Sequence, residues 1–162
     1  MAITQAMCSS FKAEIMLAVH DFRPTGQSGA SVFNLALYTS SASIDANTTA
    51  YTSSNEVSSS GTNYTAGGAA LTNLGVVTSP NTSSTGTGYT NFNTLTFANA
   101  SFTARGALIY NTTPKANSNA GTTLTNTSVC VLDFGADKTA TNGNFSIIFP
   151  TASNTTAIIR IS

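Results

Sequence analysis

The sequence has little charge and no tryptophan. Only 7% of its 162 residues are charged, and six Lys and Arg balance six Asp and Glu. An average soluble domain carries about 25% charged residues. Coiled coils, highly charged disordered chains and proteins that bind nucleic acid electrostatically all depend on charges that this chain lacks. We therefore expect a folded protein that does not bind nucleic acid.

Residues that support catalysis or hold metals are also scarce. The chain has one histidine, His20, and two distant cysteines, Cys8 and Cys130. A usual zinc site needs three or four suitably spaced ligands, and a secreted disulfide scaffold needs several closely spaced cysteines. We expect two free, buried thiols, no metal site and no cofactor. His20 lies near the end of a predicted helix, next to Asp21, a place that favours stabilisation of the helix dipole over catalysis.

The carboxylates form no recognisable catalytic pair. Asp133 and Asp137 flank a Phe-Gly turn signal, and Glu14 and Glu56 lie in different predicted elements. Nothing pairs two of them for glycoside hydrolysis. The sequence therefore predicts no catalytic residues and a protein that is not an enzyme.

Long apolar runs are absent. No stretch approaches 18 apolar residues, and the first residues lack the basic start of a signal peptide. We expect no membrane span and synthesis in a reducing cytoplasm.

One segment has helical periodicity. Pro24 and Gly26 are signals that end a helix, and a loop is expected to run on to Ala30. The spacing predicts a helix over about 5–21. Its apolar stripe consists of Met7, Phe11, Ile15, Ala18 and Phe22.

The remainder is rich in hydroxyl side chains and short apolar segments. Ser and Thr make up 49 of the 162 residues, and Thr suits a half-exposed pleated surface. Strands without helices between them favour an antiparallel architecture. We predict one domain over 1–162, an all-β antiparallel sandwich of jelly-roll type over about 31–162 with one N-terminal helix. The predicted strands are Val32–Tyr38, Ala69–Val77, Asn91–Ala98, Phe102–Tyr110, Val129–Phe134, Phe145–Phe149 and Ala157–Ile161.

Two polar stretches, 39–68 and 111–128, are candidate contact loops, and the first is expected to form a long loop or a hairpin. In the first, a few large side chains should hold the loop down. These anchors are Ile44, Tyr51, Val57 and Tyr64.

Six residues are interface candidates. The helix stripe of Met7, Phe11 and Ile15 packs either on its own sandwich, the preferred alternative, or against a neighbour. Exposed Tyr and Arg anchor interfaces better than Ser or Thr, which selects Tyr51, Tyr64 and Arg105. A lone strand Arg can instead extend its charge to water.

Several sequence phrases resemble a family of small virion proteins of tailed bacteriophages, especially marine ones. The likeness covers nearly the whole chain from Met7 onward and implies a structural component of a phage particle. The phrases are Phe33–Ser41, Tyr51–Val57, Tyr64–Gly68, Thr103–Tyr110, Asp133–Gly135 and Ala157–Ile161.

The resemblance and the composition together favour a head decoration, or cement, protein. Such a protein presents a large neutral surface and binds a repeated lattice through modest patches multiplied by copy number. The expected partners are the major capsid protein or other virion proteins, with many copies or a homo-oligomer on the particle. The alternatives are a tail or neck component and, from another class, a carbohydrate-binding module of a receptor-binding appendage.

Overall fold

The computed structural model describes residues 2–78, 86–116 and 124–162. It contains one helix and two antiparallel sheets, so the predicted all-β fold with one N-terminal helix is confirmed. Part of the predicted loop 111–128, residues 117–123, lies outside the described residues. The elements in chain order are β1 (Ala6–Met7), α1 (Ser9–Met16), β2 (Phe33–Tyr38), β3 (Ala69–Ala70), β4 (Asn73–Thr78), β5 (Gly88–Phe92), β6 (Leu95–Asn111), β7 (Thr127–Ile147) and β8 (Ile159–Ile161).

The larger sheet has five strands in the order β1-β7-β6-β2-β3, and the smaller has three in the order β4-β5-β8. Strand β2 lies between β6 and β3 rather than in the middle of the sheet, and its side chains are covered on both faces, as the sequence predicts. A single hydrophobic cluster joins the sheets, with Phe33 of β2 in edge contact with Phe92 of β5. Burial of this apolar surface is the main favourable term in folding.

The helix is shorter than the predicted range of about 5–21. Before it, Ala6 and Met7 pair with β7 as strand β1. After it, Ala18 adopts the left-handed conformation (φ 56°), and the Ala18 and Val19 amides donate to the carbonyls of Ile15 and Glu14. This pattern is a Schellman motif, which usually carries Gly at the position that Ala18 occupies. Because no glycine occupies this position, the sequence carries no signal that the helix ends at Met16.

Several predicted strands merge into two long ones. Phe102–Tyr110 lies within β6, whereas the candidate Asn91–Ala98 is divided between β5 and β6. Val129–Phe134 and most of Phe145–Phe149 belong to β7, so the polar stretch between them is strand rather than turn.

Hydroxyl pairs and register shifts explain this continuity. Thr103 and Thr139 hydrogen bond across the two strands at 2.8 Å, and Ser101 Oγ donates to Asn142 Oδ1 at 3.0 Å. A local turn is present inside β7. Asp133 Oδ1 accepts a hydrogen bond from the amide of Gly135, which has a left-handed conformation (φ 74°). The predicted turn is therefore an irregularity in the ladder, where residues 134–137 of β7 lie opposite Arg105 of β6 and the register shifts without ending the strand.

The candidate Ala69–Val77 is likewise two strands. Its first part, β3, pairs with β2 in the larger sheet, and its second part, β4, pairs with β5 in the smaller one. This chain segment therefore crosses from one sheet to the other.

Candidate interaction surface

The predicted helix stripe packs against the protein's own core. Phe11 is fully buried, and Met7 and Ile15 are partly buried against the hydrophobic cluster. This is the preferred of the two sequence-based alternatives. Within the folded chain, these three side chains serve the core.

The loop 39–68 is held down by the predicted anchors. Ile44, Val57 and Tyr64 are buried, and Tyr51 packs partly buried against the core. The Tyr51 ring stacks on Tyr110 of β6 with 4.8 Å between ring centroids.

Glu56 organises the centre of this loop. Its Oε2 accepts a hydrogen bond from Tyr51 at 2.7 Å, and its Oε1 accepts from the Tyr64 hydroxyl at 2.6 Å and the Gly67 amide at 2.7 Å. Burial, and then the bond to Glu56, raise the pKa of both tyrosines. The tyrosine hydroxyls are thus committed to a contact within the chain.

The expectation that Tyr64 is exposed is wrong, because its side chain is only 3% exposed. Its hydroxyl also accepts the Leu37 amide of β2 at 2.9 Å. The Tyr64 hydroxyl therefore finds both its acceptor, the Glu56 carboxylate, and its donor, the Leu37 amide, inside the protein.

Arg105 lies half-exposed in β6 near two carboxylates of β7. Its Nε is 3.6 Å from Asp133 Oδ1, and its Nη1 is 3.7 Å from Asp137 Oδ1. These contacts are longer than the usual charged hydrogen bond. A surface ion pair of this kind contributes little stability, so Arg105 remains accessible as a predicted partner contact.

Seven large apolar side chains are exposed among the described residues, and four lie on the smaller sheet. They are Leu74, Val76 and Val77 of β4 and Ile161 of β8. Val76 and Ile161 have exposed fractions of 61% and 56%, and their registers with β5 place them on the same face, whereas Val77 points to the opposite face. We call the face that carries Val76 and Ile161 the β4–β8 surface.

A second apolar site lies at the end of β7. Ile147 is buried, whereas Ile148 is 77% exposed at an open groove of about 420 Å³ that Phe134 and Phe145 also line. Exposed apolar side chains gathered in this way indicate contact sites more than isolated ones do.

The sequence analysis did not select these residues, although doublets of apolar residues mark them. Val76 and Val77, and Ile147 and Ile148, are adjacent in or beside strands. Successive strand side chains point to opposite faces. A doublet therefore places one side chain on each face: Ile147 is buried and Ile148 is exposed, whereas Val76 and Val77 are both exposed.

His20 is buried in contact with Glu14 of the helix. Its side chain is fully buried, and its Nε2 lies 2.7 Å from Glu14 Oε2. Among the described residues, no group of three or more His, Cys, Asp or Glu side chains could hold a metal ion.

Cys8 and Cys130 are free and buried, as predicted. Burial raises the pKa of Cys130 to about 12 and also raises that of Cys8. Thiols protonated in this way are poor nucleophiles. In the described parts of the chain, no helix is long and apolar enough to cross a membrane.

No protein-family model, curated protein or solved structure matches the chain.

Proposed function

We propose that the protein is a structural component of a tailed-phage particle, and that it is a decoration protein on the outer surface of the head. The observation that carries the proposal is the β4–β8 surface, a set of exposed apolar side chains on a chain with very little charge. The sequence resemblance supplies the setting, and the surface supplies a means of attachment.

A modest apolar surface suits a repeated lattice. Each copy buries a small area, while many copies and many equivalent sites multiply the total stabilisation of the shell. Near-zero net charge favours the outside of the shell over contact with packaged DNA. The major capsid protein is the proposed partner.

The carbohydrate-binding alternative has less support. Sugar binding through stacking needs an exposed aromatic face. Among the described residues, every Tyr and Phe is buried or half-buried. Tyr51 and Tyr64 in particular are engaged by Glu56.

The direct test is imaging of purified particles with the chain located in the density. We expect copies on the outer head surface at symmetry-related positions. Density confined to the tail or neck would support the runner-up assignment, and absence from the particle would end the virion proposal. Binding to a glycan array without particle binding would favour the carbohydrate-binding module.

A variant pair tests the surface itself. The double variant Val76→Asp and Ile161→Asp places two charges on the β4–β8 surface and should lower occupancy on particles at least tenfold. Thr141→Asp is the matched control, because Thr141 is exposed on β7 away from this surface. Equal occupancy for both variants would contradict attachment through the β4–β8 surface.

A further inference from the structure

His20 lies at the centre of a buried polar network that joins four parts of the chain. Its Nε2 contacts Glu14 of α1, and its Nδ1 is 3.2 Å from Nδ2 of Asn111, at the end of β6. The same Asn111 nitrogen donates to Ser31 Oγ at 3.2 Å. Three aromatic rings surround the imidazole, those of Phe11, Phe22 and Phe33.

The network fixes which nitrogen carries the proton. Asn111 Oδ1 accepts the Thr113 amide at 2.9 Å, so the amide orientation places an NH₂ group against His20 Nδ1. Nδ1 must therefore be the acceptor, and Nε2–H donates to Glu14 Oε2. This arrangement requires a neutral imidazole.

Protonation of Nδ1 would bring two hydrogen-bond donors face to face. The new N–H would face the Asn111 N–H, and a hydrogen bond made only by the neutral form would be lost. Burial acts in the same direction and lowers the pKa of His20 to about 4.

The other charged groups near the network are engaged elsewhere. Asp21 and Arg23 pair with each other, and Lys115 Nζ donates to the Gly29 carbonyl. Glu14 is thus the charged group in contact with the ring, and burial raises the pKa of its carboxyl. As the pH falls, Glu14 becomes neutral and offers less stabilisation to an imidazolium.

The segment after His20 is bound to strand β4. Asn73 O accepts from the Thr25 amide at 3.1 Å, and the Asn73 amide donates to Thr25 Oγ1 at 2.7 Å. Pro24 packs closely on Gly75, where an added Cβ would lie 2.8 Å from Pro24 Cγ. His20 therefore anchors a segment that supports β4.

We propose that His20 is an acid-sensitive clasp, whose protonation releases residues 17–25 from the end of β6 while the two-sheet core stays folded. The clasp is a property of the isolated chain and does not depend on the proposed function. Protonation breaks the Asn111–His20 contact and leaves the hydrophobic core in place, except for Phe22 of the released segment, which packs on Phe33.

The single histidine makes the test direct. In the ¹⁵N-labelled protein, ring NMR signals belong to His20 alone, and we expect the proton on Nε2 at neutral pH with a titration midpoint of about 4. Hydrogen exchange, corrected for its intrinsic pH dependence, should accelerate at residues 17–25 through that midpoint while β6 amides stay protected.

Three results would overturn the proposal. These are a proton on Nδ1 at neutral pH, a midpoint at the ordinary histidine value, and loss of protection in β6 together with residues 17–25. The absence of any acceleration at residues 17–25 counts against it in the same way.

Variants separate the imidazole from its neighbours. Asn111→Asp presents an acceptor to Nδ1–H and should raise the midpoint by at least one pH unit. In Glu14→Gln the release should persist with nearly the same midpoint, because the raised pKa of Glu14 leaves its carboxyl largely neutral in that pH range.

His20→Gln keeps the proposal falsifiable if Asn111→Asp fails to fold. This variant removes the titrating ring, so exchange at residues 17–25 should lose its acid response. An unchanged acid response in His20→Gln would assign the effect to another group and refute the clasp.

Discussion

The two sheets of this protein treat their apolar side chains differently. In the larger sheet, Leu35 of β2 and Leu108 of β6 are fully buried, and both faces of the sheet's middle are covered. In the smaller sheet, the edge strands β4 and β8 leave Val76 and Ile161 mostly exposed. The difference indicates that the larger sheet supplies stability and the smaller sheet supplies contact surface.

The largest expected effect comes from the larger sheet. Leu108→Ala should lower the free energy of unfolding by about 2–5 kcal/mol, because it removes a fully buried side chain and leaves a cavity. Urea denaturation measures this change. A loss below about 1 kcal/mol would show that the middle of the sheet is not the main source of stability.

The second-largest effect is expected from acid, which should destabilise the region around His20. Burial lowers the pKa of His20 from 6.5 to about 4, so between these values the unfolded chain binds a proton that the folded chain excludes. The free energy of unfolding should therefore fall as the pH drops through this window, by up to about 3 kcal/mol.

Glu14 acts in the opposite direction and reduces the net slope. Its pKa is raised in the folded chain, so its contribution to stability is present at low pH and is lost as the pH rises. His20→Gln should remove the acid loss in urea titrations at several pH values. Equal pH profiles for the variant and the wild type would contradict this assignment.

Glu56→Gln tests how much the hydrogen bonds of Glu56 stabilise the loop 39–68, which covers the larger sheet. The neutral amide of the variant carries no negative charge and cannot accept all three hydrogen bonds. We therefore expect the free energy of unfolding to fall by about 1.5–3 kcal/mol. Tyr51→Phe is the matched control, because it deletes only one of the three bonds. The control should cost less, and a greater cost for it would show that the Tyr51 hydroxyl contributes more to stability than the negative charge of Glu56.

The smallest stability effect is expected on the smaller sheet. Val76→Ala removes an exposed side chain and should change the free energy of unfolding by no more than about 0.5 kcal/mol. A destabilisation comparable to that of Leu108→Ala would erase the proposed division of roles between the two sheets.

Much of the fold could be predicted from local pattern. The doubly covered strand β2 was visible in its continuous apolar run, and the loop anchors Ile44 and Val57 were visible as isolated large residues in polar sequence. These features depend on side-chain period and burial, which neighbouring residues determine.

The errors came from contacts that a local pattern does not contain. The helix ends at Met16 because the amides of Ala18 and Val19 bind its last carbonyls in a left-handed turn, and no glycine marks that turn. Strand β7 continues through polar residues because Thr139 and Asn142 find partners on β6.

The candidate site shows the same division. The exposure of Tyr64 was predicted from its residue type, but its partner Glu56 reverses the outcome. The sequence alone does not identify Val76 and Ile161 as exposed, because an apolar residue in a strand suggests a position in the core. Their exposure depends on the position of β4 and β8 at the sheet's edges, which needs the complete topology.

The central claim is that the protein works by surface contact through the smaller sheet. The most direct measurement is the occupancy of wild-type protein, the Val76→Asp and Ile161→Asp double variant, and Thr141→Asp on particles assembled without the native chain. We expect full occupancy for the wild type and Thr141→Asp and a loss of at least tenfold for the double variant, with unfolding free energies that stay similar. Undiminished occupancy of the double variant would contradict the claim.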